Sequence, residues 1–137
     1  MLSPFACAAK YLSGKEPGSG FWCVEMAADR TEKIVLWDGS LGAMPTQAEI
    51  DAALVPAYKT ERITAINAEC RARLLARFGD PAEQVSRSIG VYGASEQSAL
   101  STGIAATVDA SNTASDAVTA AATIAEVEAV TVTWPVI

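Results

Sequence analysis

Gly14-Lys15 followed by Pro17-Gly18-Ser19-Gly20 has the composition of a phosphate-binding loop. Its spacing does not fit that chemistry. A Walker A loop places its lysine after the last glycine, with Ser or Thr next, so that backbone N–H groups and the ammonium converge on the phosphates. Here the lysine comes early, and a flexible turn accounts for the segment. No G-x-G-x-x-G follows a candidate strand, and there is no G-x-S-x-G. The chain contains no histidine, which removes imidazole as a base or ligand. A serine or cysteine nucleophile would then need a lysine or carboxylate as its base. Glu126 and Glu128 stand two apart on an expected helix and point in different directions, a poor acid–base pair. Cys7, Cys23 and Cys70 are odd in number, and none is spaced as C-x-x-C, so no metal site is expected. They suit free thiols in a reducing compartment; a Cys7–Cys23 bridge is the other reading. The expectation is a chain with no catalytic, metal or cofactor-binding residues.

Two further groups could act by binding. Arg71, Arg73 and Arg77 share much of one helix face and could line phosphates. The chain, however, carries sixteen Asp+Glu against ten Lys+Arg, a net charge of −6, which repels a polyanion. Glu61 and Glu69 lie among these arginines, so a solvated face is expected, without nucleic acid as a partner. Trp22, Trp37 and Trp134 are either interface anchors or the core of a hairpin. Trp134 is followed by Pro135-Val136-Ile137, an apolar run that should dock on its own domain or on a partner. The stripe Ile63, Ile66, Cys70, Leu74 and Phe78 is either core or a seam between subunits. A coiled-coil seam would persist for several heptads, whereas this one lasts about two, which favours core. The candidate interface residues are therefore Trp22, Trp37, Ile63, Ile66, Leu74, Phe78, Trp134 and Val136.

The elements that must position these residues can be read from caps and periodicity. The length of 137 residues predicts one domain. Half the residues are hydrophobic, but 27 of them are alanine, so the bulky share is ordinary. No apolar run approaches the ~20 residues needed to cross a bilayer, and residues 1–11 lack the basic start of a signal peptide. Ser3-Pro4 opens a short helix through about Leu12. Residues 13–20 form a loop. Phe21–Met26 and Glu32–Trp37 read as an antiparallel hairpin turning near Asp29. Its inner face is expected to carry Trp22, Val24 and Met26, opposite Ile34 and Leu36 or Val35 and Trp37.

Thr46 and Glu49 form a capping box that starts a helix. Pro56 should end or kink it, with a longer helix following from about Ala57 to Phe78 and Gly79 closing it. Asp80-Pro81-Ala82-Glu83 opens another helix, whose Val85 and Ile89 should face inward, and Gly90 and Gly93 end it. Ser95 then caps a helix with Leu100, Ile104 and Val108 inward, weakened by Gly103. Asp116–Ala122 reads as a separate short helix. Thr123 and Glu126 form a second capping box, with Ile124, Val127 and Val130 as the apolar side. Thr131–Trp134 turns β-like before Pro135. The fold class expected is α+β: an N-terminal β-hairpin region over 1–44, a mainly helical region over 45–137 forming one compact unit with it, and a short C-terminal strand returning toward the hairpin.

The order of these pieces resembles small tail proteins of tailed bacteriophages, of the type encoded beside tail-fibre genes. Tyr11-Leu12, a Gly/Pro loop, Phe21-Trp22-Cys23-Val24 and Ile34-Val35-Leu36-Trp37-Asp38 carry the resemblance. So do Pro45-Thr46-Gln47-Ala48-Glu49-Ile50, the run Ile66–Leu74, and Thr123–Val130 with Thr133-Trp134-Pro135. Together they touch about half the chain; Ser88–Ala122 has no counterpart in the resemblance. The resemblance implies a non-enzymatic structural component of the distal tail, baseplate or tail fibre, assembled in the host cytoplasm and located in the virion tail. It implies partners in a phage fibre or baseplate protein and in further copies of the chain, a homo-oligomer with a trimer as the first candidate. A fibre-assembly chaperone not retained in the virion is the alternative, and a head-decoration protein the second. It carries across no catalytic residues, no cofactor and no membrane partner.

Overall fold

The structure is a computed structural model and describes residues 1–137. In chain order it contains α1 (Pro4–Ser13), β1 (Trp22–Met26), β2 (Glu32–Trp37), a 3-10 turn (Gly39–Leu41), α2 (Gln47–Phe78), α3 (Pro81–Ser88), α4 (Ala94–Ala120) and α5 (Ile124–Ala129). The fold is α+β, mostly helical with one two-stranded antiparallel sheet. The chain divides into two compact units. One comprises Met1–Glu61 with Ala122–Val127, the other Arg62–Ala121 with Glu128–Ile137. The chain passes from one to the other three times, at Glu61–Arg62 inside α2, at Ala121–Ala122 after α4 and at Val127–Glu128 inside α5.

In the first unit, α1 starts as its sequence dictates. Ser3 Oγ accepts from the Ala6 N–H at 3.1 Å, and Pro4 takes the first helical position, where no N–H is needed. The helix stops at Gly14, whose φ of +64° is left-handed. Its buried face consists of Cys7, Ala8 and Ala9. The hairpin forms, with Trp22 opposite Trp37 and Met26 opposite Glu32. A register shift falls between Cys23 and Val24: Cys23 pairs with Leu36, while Val24 pairs with Ile34. One extra residue in β2 switches every later side chain to the other face. The sheltered side of β2 therefore carries Ile34 and Trp37 together, while Val35 and Leu36 are exposed. Strict alternation cannot produce that combination. Met26, expected inside, lies largely in water.

The Thr46–Glu49 capping box is made: the Thr46 N–H donates to Glu49 Oε2 at 2.7 Å, and the Glu49 N–H to Thr46 Oγ1 at 3.3 Å. Pro56 does not end the helix. α2 continues through it for 32 residues. Proline removes one ladder hydrogen bond and costs about 3 kcal/mol. Ile50, Ala53, Ala57 and Tyr58 are buried on either side of it, and burial of a large apolar side chain returns about 1.5–3 kcal/mol. Packing thus outweighs the local break.

The second unit is built on an antiparallel pair, the later half of α2 and α4. Ile66, Cys70 and Phe78 are buried and Ile63 and Leu74 half-buried, as the stripe predicts. α4 is one helix of 27 residues, not two, and absorbs the expected Asp116–Ala122 helix. It begins after Gly93 without a side-chain cap, so Ser95 is not its cap. Its buried stripe is Leu100, Gly103, Thr107, Ser111, Ala114 and Val118, spaced by three and four. Gly103 thus sits at the seam instead of marking a weak point, and Val108 faces out. A Cβ at Gly103 would come within 2.7 Å of Phe78 Cζ. The seam's polar groups are matched locally. Thr107 Oγ1 donates to the Gly103 carbonyl at 2.7 Å, and Ser111 Oγ to Asn67 Oδ1 at 3.1 Å.

α3 carries the reciprocal Asp80–Glu83 cap, but Val85 and Ile89 point outward, contrary to expectation. After α5, residues 130–137 form no regular structure, so the expected C-terminal strand is absent. A strand needs a ladder partner, and the Thr131–Trp134 segment makes no backbone hydrogen bond to one.

Two stability predictions follow from the packing. Gly103→Ala gains about 1 kcal/mol of helix propensity but forces Phe78 aside, for a net loss of about 1–3 kcal/mol. Urea unfolding measures this, and a variant as stable as wild type would refute the close approach. Trp22 Nε1 donates to the Lys15 carbonyl at 2.9 Å, whereas the buried Trp37 Nε1 has no partner. Trp22→Phe should therefore destabilise more than Trp37→Phe, by about 1 kcal/mol, in the same assay.

Candidate interaction surface

Four large apolar side chains within residues 85–92 are left in water: Val85 is 59%, Ile89 71%, Val91 67% and Tyr92 51% exposed. Val85 and Ile89 stand at i, i+4 on one side of α3 and the residue after it. Val91 and Tyr92 follow in the turn to α4. Such grouping differs from the isolated exposed apolar residues that any surface shows.

The backbone that presents them is held firmly. Gly90 and Gly93 take φ of +83° and +92°, values that disfavour any side chain. The Val91 N–H donates to the Ser86 carbonyl at 3.0 Å and the Gly93 N–H to the Gly90 carbonyl at 2.9 Å. Gln97 Nε2 reaches back to the Ser88 carbonyl at 2.6 Å. Glu96 is the electrostatic centre. It accepts from Arg77 at 3.0 and 3.2 Å and from Arg87 at 2.6 Å. Arg87 also donates through Nε to the Phe78 carbonyl at 3.1 Å and lies 4.7 Å from the centre of the Tyr92 ring. One guanidinium thus ties the end of α2, the start of α4 and the turn together. Beside this turn an open groove of about 680 Å³ is lined by residues that include Ser88, Ala94, Gln97, Leu100 and Ile104.

The residues singled out from the sequence are scattered by comparison. Trp22, Ile66 and Phe78 are buried within the chain's own packing. Trp37, Ile63, Leu74 and Trp134 are half-buried, and Val136 is fully exposed. Within the arginine face, Arg73 binds Glu69 at 2.8 and 2.9 Å and lies over the Trp134 ring at 4.9 Å. Arg77 is committed to Glu96. None of the exposed residues Val85, Ile89, Val91 and Tyr92 is among the sequence candidates: Val85 and Ile89 have the i, i+4 spacing of a core stripe, and Val91 and Tyr92 lie outside any periodic run. The local signal was the pair Val91-Tyr92 enclosed by Gly90 and Gly93, since a tight turn between glycines leaves little to bury a side chain against.

In the first unit, a cavity of about 250 Å³ is lined by Cys7, Lys10, Tyr11, Lys15, Glu16, Thr60 and Glu61, among others. Lys10 bridges Glu16 at 3.1 Å and Glu61 at 3.2 Å. Hydrogen bonding to these carboxylates, Glu16 first, raises the Lys10 pKa. Burial, helped by the Glu61 charge, pushes the Cys7 thiol up to about 11. At neutral pH the thiol is therefore protonated and the ammonium fully charged, which suits neither a nucleophile nor a base. Cys23 and Cys70 are likewise free thiols. No helix is long and apolar enough to cross a membrane.

A comparison of the chain with protein-family models, curated proteins and solved structures finds no match in any of the three.

The side-chain hydrogen bond from Arg77, and then the charges of both arginines, hold the Glu96 carboxyl below its usual range. A depressed pKa stabilises above the unfolded value of about 4.3 and loses that contribution as pH falls through the folded one. The melting-temperature gap between wild type and Glu96→Gln should therefore be constant above about pH 5 and close under more acid conditions. A gap that stays the same down to acid pH would show that the arginine contacts add nothing.

Proposed function

We propose that the chain is a non-enzymatic structural component of a phage tail, at the distal tail, baseplate or tail fibre, acting through protein–protein contacts. The observation that carries this reading is the rigid apolar turn at Val85–Tyr92. A protein that leaves four large apolar side chains in water, on a backbone fixed by glycines and a doubly bound carboxylate, is prepared to bury them against a partner. Each such side chain, once fully buried, contributes about 1.5–3 kcal/mol. Because the turn is ordered beforehand, little conformational entropy is lost on docking. The order of sequence pieces that resembles small tail proteins supplies the kind of partner, a fibre or baseplate protein with a complementary apolar face. The acidic chain, at net charge −6, favours partner surfaces that are neutral or basic around that face.

Mass spectrometry of purified particles tests the reading. The chain is expected at fixed stoichiometry in the tail. Its absence from particles, together with loss of fibre trimers on gene deletion, would replace it with the assembly-chaperone reading; a capsid location would replace it with head decoration. The double variant Ile89→Ser/Val91→Ser should keep its melting behaviour within about 0.5 kcal/mol, as exposed positions do, while incorporation falls at least tenfold. Undiminished incorporation would remove the turn from the interface.

A further inference from the structure

Residues 130–137 lie on the second unit as a bound peptide would. The segment is extended and alternates. Val130, Val132 and Trp134 are half-buried, while Thr131 and Thr133 are exposed. Its backbone makes no backbone hydrogen bond. It is held by side chains and one carbonyl: Arg62 Nη2 donates to the Val130 carbonyl at 3.0 Å, and Arg73 stacks on Trp134. Further along, Pro135, Val136 and Ile137 border a cavity of about 240 Å³ with Phe78, Ala99, Thr102, Gly103 and Ala106. A second cavity, of about 360 Å³, separates Val130, Thr131 and Thr133 from Ala110, Thr113, Ala114 and Ala117. The groove between α2 and α4 is thus occupied but not filled. Few buried contacts and no ladder place such a segment at the weakly held end of a structure.

We propose that the α2–α4 groove is a receptor for an extended apolar segment, and that in associated copies it takes residues 130–137 of a second copy in place of its own. The structure itself supplies the occupant: this segment is already seated in the groove, with Trp134 under Arg73 and Ile137 beside the Gly103–Phe78 contact. Exchange between copies preserves each of these contacts and alters only the connection leading to them. It therefore leaves the contact energy nearly unchanged and is governed by concentration, which is high wherever copies are gathered around a symmetry axis. Release without exchange would leave Trp134 and the groove lining in water. Exchange is a property of the purified protein and stands or falls apart from any location in a virion.

The test uses full-length chains with the exposed Cys23 changed to Ser. One copy carries Ala106→Cys and the other Val136→Cys, positions that border the same cavity. The mixture is treated with a short bis-maleimide and the joined peptides are identified by mass spectrometry. A 106–136 link between two chains is expected, increasing with total protein concentration and lost when Trp134→Ala is added to the copy bearing Val136→Cys. A single chain carrying both cysteines should close within itself. If that chain closes but the mixture yields no intermolecular link, exchange does not occur and the proposal falls. It falls equally if the double-cysteine chain fails to close, since the segment would then not occupy the groove, or if the link survives Trp134→Ala, since the joining would then be collisional.

Discussion

The second unit depends on one close approach, the Phe78 ring against the backbone of α4 at Gly103. Phe78 is 1% exposed, and the space it occupies is the space where any other residue at 103 would place its Cβ. Glycine in a helix interior is unfavourable by about 1 kcal/mol relative to alanine. Here that cost allows an aromatic ring to sit directly on the helix backbone. The remainder of the α4 stripe follows the same logic. Thr107, Ser111 and Ala114, each with a short side chain, continue the buried face from Gly103. The two hydroxyls turn to acceptors at the seam, one on the same helix and one on Asn67.

The position of Phe78 also organises what lies at the end of α2. Its carbonyl accepts from Arg87, and the neighbouring Arg77 binds Glu96 at the start of α4. The apolar turn at Val85–Tyr92 is thereby fixed by polar contacts on its inner side while its apolar side chains face water. This inverts the usual arrangement of a surface helix. It is tolerable because α3 is short and because its ends are secured by the Asp80–Glu83 cap and by two glycines with positive φ. The segment 130–137 meets the same seam from another direction, with Ile137 near the Gly103–Phe78 contact. One packing contact therefore supports both the turn and the seat of the extended segment.

Short-range chemistry was legible. The capping boxes at Thr46, Asp80 and Thr123, the glycine stop at Gly79, and the Ile63–Phe78 stripe each depend on residues within one or two turns of one another, and each is observed. Longer-range outcomes were not. The register shift at Cys23–Val24 decides which β2 residues are sheltered, and alternation carries no sign of it. Pro56 remains inside α2 because Ile50, Ala57 and Tyr58 bury apolar surface on both sides, an energy that no local rule contains. Val85 and Ile89 have core spacing, yet nothing covers them.

The sequence alone determined where α1, α2, α3 and α5 begin, that α2 stops at Gly79, and that the fold mixes one hairpin with mostly helical structure, because caps and glycines act through hydrogen bonds to their own neighbours. It also determined the chemistry on hand: no imidazole, few cations and an acidic balance. The tertiary structure decided which apolar residues are core and which are surface. In alanine-rich helices the hydrophobic pattern is nearly flat, so the face that turns inward is set by what fits against it. Gly103 became a contact because a phenylalanine required the room, and Ile89 became surface because no element was left to lie over it.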